Sequence, residues 1–153
     1  MLSKKFFMIA GASLGLAIAV SGGVVGIVYA KTGLSMPYYV RSLQTNRVSV
    51  AELREIPPEE KLIIDVRTPE EHSINNIPNS VLIPIQDLEA GFGVKQLQRE
   101  IQAFQTKHGR SPQIIFYCQT GPRSIRAFET LKTQIDEELL VLTGGMSAWD
   151  LQS

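Results

Sequence analysis

From residue 47 onward, the hydrophobic residues form short continuous runs, and stretches of helical periodicity lie between them. A short apolar run predicts a β-strand, and a run without polar alternation predicts a strand that is buried on both faces. The predicted strands are residues 47–50, 61–66, 80–85, 113–118 and 138–145. The run 113–118, QIIFYC, has no polar alternation and therefore predicts a fully buried strand.

Helices are predicted after most of these strands. Residues 51–56 follow the first strand, and a second helix, which Gly109 ends, follows the third strand. Its apolar face, with offsets of three and four residues, is formed by Val94, Leu97, Ile101 and Phe104. Residues 123–133 form the next helix, and residues 146–152 form a short last one. The helix at 123–133 has on one side Ile125, Phe128 and Leu131.

Strands that alternate with helices predict an α/β fold with a mostly parallel central sheet and helices on both faces. The predicted domain comprises residues 46–153, which is the size of one ordinary domain, and residues 31–45 form a linker. In open parallel sheets, ligands bind beyond the carboxyl ends of the strands. Asp65, Arg67 and Cys118 all fall at such strand ends.

A second kind of hydrophobic pattern lies before the domain. Residues 6–30 contain no charged residue, and a helix of that length reaches roughly 37 Å, more than the roughly 30 Å of a bilayer core. We therefore expect a single transmembrane helix that remains as a signal anchor. Residues 1–5, which include Lys4 and Lys5, would stay in the cytoplasm and place the domain on the extracytoplasmic side.

The same segment has an alternative interpretation as a cleavable signal peptide that is cut after Ala30. The anchor is favoured because the apolar run exceeds the roughly 7–15 residues of a signal-peptide core. Small residues also form a ridge on which a second membrane helix could pack. This ridge contains Gly11, Gly15, Gly22 and Gly26.

Composition excludes several classes of function. A single cysteine rules out an intrachain disulfide, and two histidines without ligand spacing give no metal cluster and imply no cofactor. The formal net charge is zero, so the chain lacks the basic surface that binds nucleic acid. His72 lies in the acidic stretch PEEH and is predicted to be a solvated surface residue.

The only cysteine, Cys118, stands between a predicted strand and a predicted helix, in the stretch IIFYCQTGPRS. A thiol is a weak nucleophile until it ionises. A helix N-terminus presents unpaired N–H groups and about half a positive charge, which favour the thiolate. Gly121 gives the loop freedom to curl its amides around the sulfur, and Arg123 adds a positive charge. The alternative is an inert buried cysteine.

Five segments resemble motifs of the rhodanese family of sulfurtransferases, and they occur in the family's order. They are VSVAEL (48–53), DVRTPEEH (65–72), IPNSVLIPI (77–85), YCQTGPRS (117–124) and LTGGMSAW (142–149). Together the matching segments cover about residues 46–151. One departure is Asn79, which stands where the family has a glycine, and asparagine tolerates left-handed backbone.

The resemblance implies sulfur transfer in two steps. The thiolate of Cys118 would take the outer sulfur of a donor, thiosulfate or a persulfide, and then pass it to a thiol or to cyanide. It also implies that the active-site loop binds the substrate through Gln119, Thr120, Gly121, Arg123 and Ser124. Arg123 would hold the anionic group of the donor. Asp65 and Arg67 would support the loop from below; the alternative is a strand-end ion pair that only shapes the turn.

Two alternatives stay open at this point. The family often has an arginine directly after the cysteine, and Gln119 in that place leaves room for a catalytically idle module that binds proteins at the membrane. A small phosphatase or arsenate reductase is disfavoured, because those relatives use Cys-x5-Arg and this chain has Cys-x4-Arg from Cys118 to Arg123. The shorter loop suits a single sulfur atom.

Overall fold

The computed structural model describes residues 43–152 of the 153-residue chain. The predicted membrane segment 6–30, its glycine ridge and most of the predicted linker lie outside the described residues. Within residues 43–152, no helix combines the length and the apolar character that crossing a membrane requires.

Five strands form one sheet: β1 (Arg47–Val48), β2 (Lys61–Asp65), β3 (Val81–Leu82), β4 (Gln113–Tyr117) and β5 (Leu139–Leu142). Their order is β1-β5-β4-β2-β3, and all four neighbouring pairs are parallel. Within residues 43–152, six helices connect or follow the strands: α1 (Val50–Glu55), α2 (Pro69–Ile74), α3 (Ile85–Glu89), α4 (Phe92–His108), α5 (Pro122–Leu131) and α6 (Gly145–Asp150). The predicted α/β fold with a parallel sheet is therefore confirmed.

The centre of the sheet is the strand that leads to the cysteine. Residues 114–117 of β4 are all fully buried, and because successive strand side chains point to opposite faces, both faces of the sheet are covered. On one face, Leu53 of α1 and Met146 of α6 join Ile115 and Tyr117 in one cluster. The predicted burial is confirmed for residues 114–118, and Gln113 at the start of the run is half-buried.

Helix α5 contacts β4 and β5, and its predicted apolar face is buried. In α4, Leu97 and Ile101 are buried, and Gly109 ends the helix with a left-handed φ of 70°. The left-handed backbone expected at Asn79 is also present, with a φ of 63°.

The structure differs from the expected elements in several places: β1 and β5 end earlier than predicted, at Val48 and Leu142, and helix α3 was not predicted. The strand predicted over residues 80–85 contains only Val81–Leu82, because Pro84 lacks an N–H and α3 starts directly after it. Helix α2 was not predicted. It buries no residue, so hydrophobic periodicity gives no signal, and its start depends on a capping box between Thr68 and Glu71.

Candidate active site

Cys118 lies directly after β4, and α5 begins four residues later at Pro122. The Gly121 N–H donates a hydrogen bond to the Cys118 Sγ at 3.1 Å, and Gly121 has a φ of 129°. A backbone N–H aimed at the sulfur stabilises it as an anion. Cys118 itself is 1% exposed.

The other predicted loop residues have different environments. The buried Ser124 hydroxyl donates to the Gly121 carbonyl at 2.7 Å and lies 3.7 Å from the sulfur, so it closes the loop on itself. Thr120 is exposed at the tip of the loop. The Gln119 side chain is half-buried, and its amide donates to the Ser147 hydroxyl at 3.1 Å.

The first turn of α6 donates backbone hydrogen bonds to the cysteine loop. The Met146 N–H donates to the Cys118 carbonyl at 2.8 Å, and the Ser147 N–H donates to the Gln119 carbonyl at 3.0 Å. This approach requires glycine at position 145, where φ is 57° and an added Cβ would lie 2.3 Å from the Cys118 carbonyl oxygen. Gly145, in the segment 142–149, thus allows α6 to pack against the cysteine loop.

Gly145→Ala is expected to destabilise the fold more than Gly109→Ala does, by about 1–3 kcal/mol, because overpacking forces backbone shifts. Gly109 is a matched control: its φ of 70° is also left-handed, but nothing lies within 4 Å of its added Cβ. Urea titration of both variants measures the difference in the free energy of unfolding. Equal losses of stability would mean that the contact with Cys118 is unimportant.

Asp65 and Arg67 form a buried ion pair below the loop, 0% and 1% exposed. Arg67 Nη2 donates to Asp65 Oδ2 at 2.8 Å, and its Nε donates to Oδ1 at 3.0 Å. Burial raises the pKa of Asp65, but hydrogen bonds from Arg67 and His72 outweigh it and hold that pKa below its ordinary value. Asp65 therefore stays ionised at neutral pH.

The same arginine connects the pair to the loop. Arg67 Nη2 donates to the Asn75 carbonyl at 2.6 Å, and Nη1 donates to the Gln119 side-chain oxygen at 3.4 Å, which is a long hydrogen bond. Gln119 therefore bridges Arg67 and Ser147 across the base of the loop. The expectation that Asp65 and Arg67 lie next to the active loop agrees with this geometry, and their effect on catalysis stays a prediction.

The solvated environment predicted for His72 is wrong. Its Nδ1 lies 2.9 Å from Asp65 Oδ2, and its side chain is only 23% exposed. The prediction failed because α2 was not predicted: the helix turns His72 back over the end of β2. The one available signal was the capping pattern that begins at Thr68.

Arg123 was expected to hold the anionic group of the donor, and the structure pairs it with a carboxylate of the chain itself. Its Nη1 and Nη2 donate to Glu71 Oε2 and Oε1 at 2.6 and 2.7 Å, a bidentate pair. Hydrogen bonds from Arg123 lower the pKa of Glu71 to about 2. Glu71 was not predicted as a site residue, although it is the glutamate of the Asp-x-Arg-x-x-x-Glu pattern in residues 65–71.

The ion pair between Glu71 and Arg123 is expected to stabilise the fold at neutral pH and to lose this effect in acid. Since the pKa of Glu71 falls from 4.5 to about 2 on folding, the contribution is complete above about pH 4.5 and is lost as the pH falls toward 2. The difference in the free energy of unfolding between the unsubstituted chain and Glu71→Gln should shrink over that range. Urea titrations at several pH values measure it, and a difference that is constant with pH would contradict the prediction.

Within residues 43–152, the histidine, cysteine and acidic side chains form no cluster of three that could hold a metal ion.

The sequence model of the rhodanese-like domain matches residues 49–152. The chain is similar to the thiosulfate:glutathione sulfurtransferase of Saccharomyces cerevisiae, with 30% identity over 88 residues, 58% of this chain and 63% of that protein. It thus spans less than two thirds of the length of that relative.

Solved structures also resemble the fold. The human single-domain sulfurtransferase TSTD1 is 26% identical, with a TM-score of 0.55 over 71% of this chain and 98% of that one. A protein from Rhodopseudomonas palustris described as a possible tyrosine phosphatase has a TM-score of 0.57 at 18% identity and covers 75% of this chain and 86% of that one. At 18% identity, the second likeness shows the fold alone.

Proposed function

Since the chain belongs to the rhodanese-like domain family, we propose that it is a sulfurtransferase that moves a sulfane sulfur through a persulfide on Cys118. The donor is thiosulfate or a persulfide, and the acceptor is a thiol or cyanide. The observation that carries the proposal is the hydrogen bond from the Gly121 N–H to the Cys118 Sγ. It points the loop backbone at the one atom that must bear negative charge.

The first step is an attack by the Cys118 thiolate on the outer sulfur of thiosulfate. A sulfur–sulfur bond forms at Cys118, the sulfur–sulfur bond of the donor breaks, and sulfite leaves with the electron pair. In the second step the acceptor attacks the outer sulfur of the persulfide, and the electron pair of the broken bond returns to Cys118 as thiolate. The Gly121 N–H stabilises the anionic sulfur in both steps.

Turnover of the purified chain, residues 1–153, tests the proposal directly. With thiosulfate and cyanide, we expect thiocyanate to form; with thiosulfate and a small thiol, we expect a persulfide product. The competing phosphatase function predicts hydrolysis of p-nitrophenyl phosphate instead. The Cys-x4-Arg spacing supports sulfur transfer over phosphate chemistry, because the shorter loop suits one atom rather than a tetrahedral oxyanion.

The second candidate is an idle rhodanese module that binds proteins at the membrane. The observation in its favour is Gln119, whose side chain bridges Arg67 and Ser147 instead of presenting a cation to a donor. An idle module would yield no product with thiosulfate, a persulfide or a thiosulfonate. The presence of Cys118 at the carboxyl end of the central strand supports the enzyme.

The membrane attachment is a separate part of the proposal. Residues 6–30 would anchor the chain as a single transmembrane helix, with the domain outside the cytoplasm, and the ridge of small residues would allow the helix to pair with another. Alkaline carbonate extraction of membranes tests the anchor. Retention in the pellet supports it, and release of a shortened chain that begins after Ala30 would indicate a cleaved signal peptide.

A further inference from the structure

Two arginines lie beside the cysteine loop, and each is paired with a carboxylate. Arg67 is held by Asp65, and Arg123 is held by Glu71 through both ends of its guanidinium. These four side chains sum to no net charge, since both acids are ionised at neutral pH. The position directly after the cysteine is an uncharged glutamine.

We propose that Glu71 is a specificity-determining residue: by occupying Arg123, it selects sulfane donors of low negative charge. The favoured class is a monoanion, such as a persulfide or a thiosulfonate, and the disfavoured donor is dianionic thiosulfate. The inference rests on the proposed function, and it concerns which donor the site accepts.

The physical reason is the dependence of Coulomb energy on ligand charge. Arg123 lies near the thiol, and proximity to both Glu71 and Cys118 raises its pKa, so the guanidinium keeps its charge. An incoming anion is attracted by Arg123 and repelled by Glu71, whose oxygens lie 2.6 and 2.7 Å from the arginine nitrogens. Since each energy is proportional to the charge of the donor, Glu71 opposes a dianion twice as strongly as a monoanion.

Glu71→Gln removes the charge while it keeps the size of the side chain and one acceptor oxygen. Glu71 also accepts the Thr68 N–H in the capping box of α2, and glutamine serves in capping boxes as well as glutamate. The chain offers a matched control in Glu52→Gln. Glu52 fills the same place in the capping box of α1, where its carboxylate accepts the Ser49 N–H, and its side chain is exposed.

The experiment compares kcat/KM for thiosulfate and for methanethiosulfonate, a monoanion. In Glu71→Gln we expect a rise of about tenfold for thiosulfate and about threefold for methanethiosulfonate, because the energy scales with donor charge. The rise in kcat/KM should come from a lower KM more than from a higher kcat, and it should become smaller with added salt. Glu52→Gln should leave both values unchanged.

Equal changes for both donors, or a fall with thiosulfate, would overturn the inference and leave Glu71 as a residue that merely positions Arg123. Failure of the proposed function has a different signature, because then the unsubstituted chain transfers sulfur from neither donor. Calorimetric binding of thiosulfate to Cys118→Ser and to Cys118→Ser/Glu71→Gln needs no turnover. An affinity about tenfold higher in the double variant supports the inference, and equal affinities overturn it.

Discussion

Cys118→Ser is expected to reduce sulfur transfer to the uncatalysed background. A hydroxyl at this position forms no sulfur–sulfur bond. The persulfide, which the first step forms and the second step consumes, therefore cannot arise. In a serine protease, the loss of the nucleophile costs about 10⁶ in kcat. The rate of thiocyanate formation from thiosulfate and cyanide measures the loss.

The control for this variant is its stability. Serine is close to cysteine in size, and the Gly121 N–H that contacts the sulfur can donate to a hydroxyl oxygen. The midpoint of urea unfolding should therefore change little while turnover disappears. Turnover that persists in a folded Cys118→Ser chain would show that another group carries the sulfur.

Asp65→Ala is expected to destabilise the fold by about 3–5 kcal/mol, the cost of leaving one charge of a buried ion pair without its partner. The affected charge is that of Arg67, which is 1% exposed and donates hydrogen bonds to both carboxylate oxygens of Asp65. Its remaining partners, Asn75 and Gln119, are neutral. Urea or thermal unfolding measures the change.

A surface pair provides the comparison. Glu60 contacts Arg110, and the two side chains are 45% and 54% exposed, so Glu60→Ala should change stability by about 0–1 kcal/mol. Replacing both buried partners, as Asp65→Leu with Arg67→Met, should recover part of the loss because no buried charge is left alone. If Asp65→Ala were as stable as Glu60→Ala, the buried charge of Arg67 would not depend on Asp65, and the prediction would be wrong.

The sheet could be predicted from the sequence because its strands are buried on both faces. Residues 114–117 have no polar alternation, which is what a central parallel strand requires. The loop was also predictable, since strand end, cysteine, glycine and proline follow one another within the segment 118–122. These signals are local in the chain.

The side-chain contacts of the site were harder to predict from the sequence. Glu71 and Arg123 are 52 residues apart in sequence, so their pairing depends on where the sheet places α2 beside α5. Helix α2 buries no side chain, and hydrophobic periodicity therefore could not reveal it or the contact of His72 with Asp65. The capping box at Thr68 was the signal that would have predicted this helix.

The most direct test of the sulfur-transfer mechanism is the mass of the chain after incubation with thiosulfate. We expect the mass to increase by one sulfur atom, located in the peptide that contains Cys118. The added sulfur should be lost on addition of cyanide and absent in Cys118→Ser. An unchanged mass after incubation with thiosulfate, a persulfide and methanethiosulfonate would contradict that mechanism.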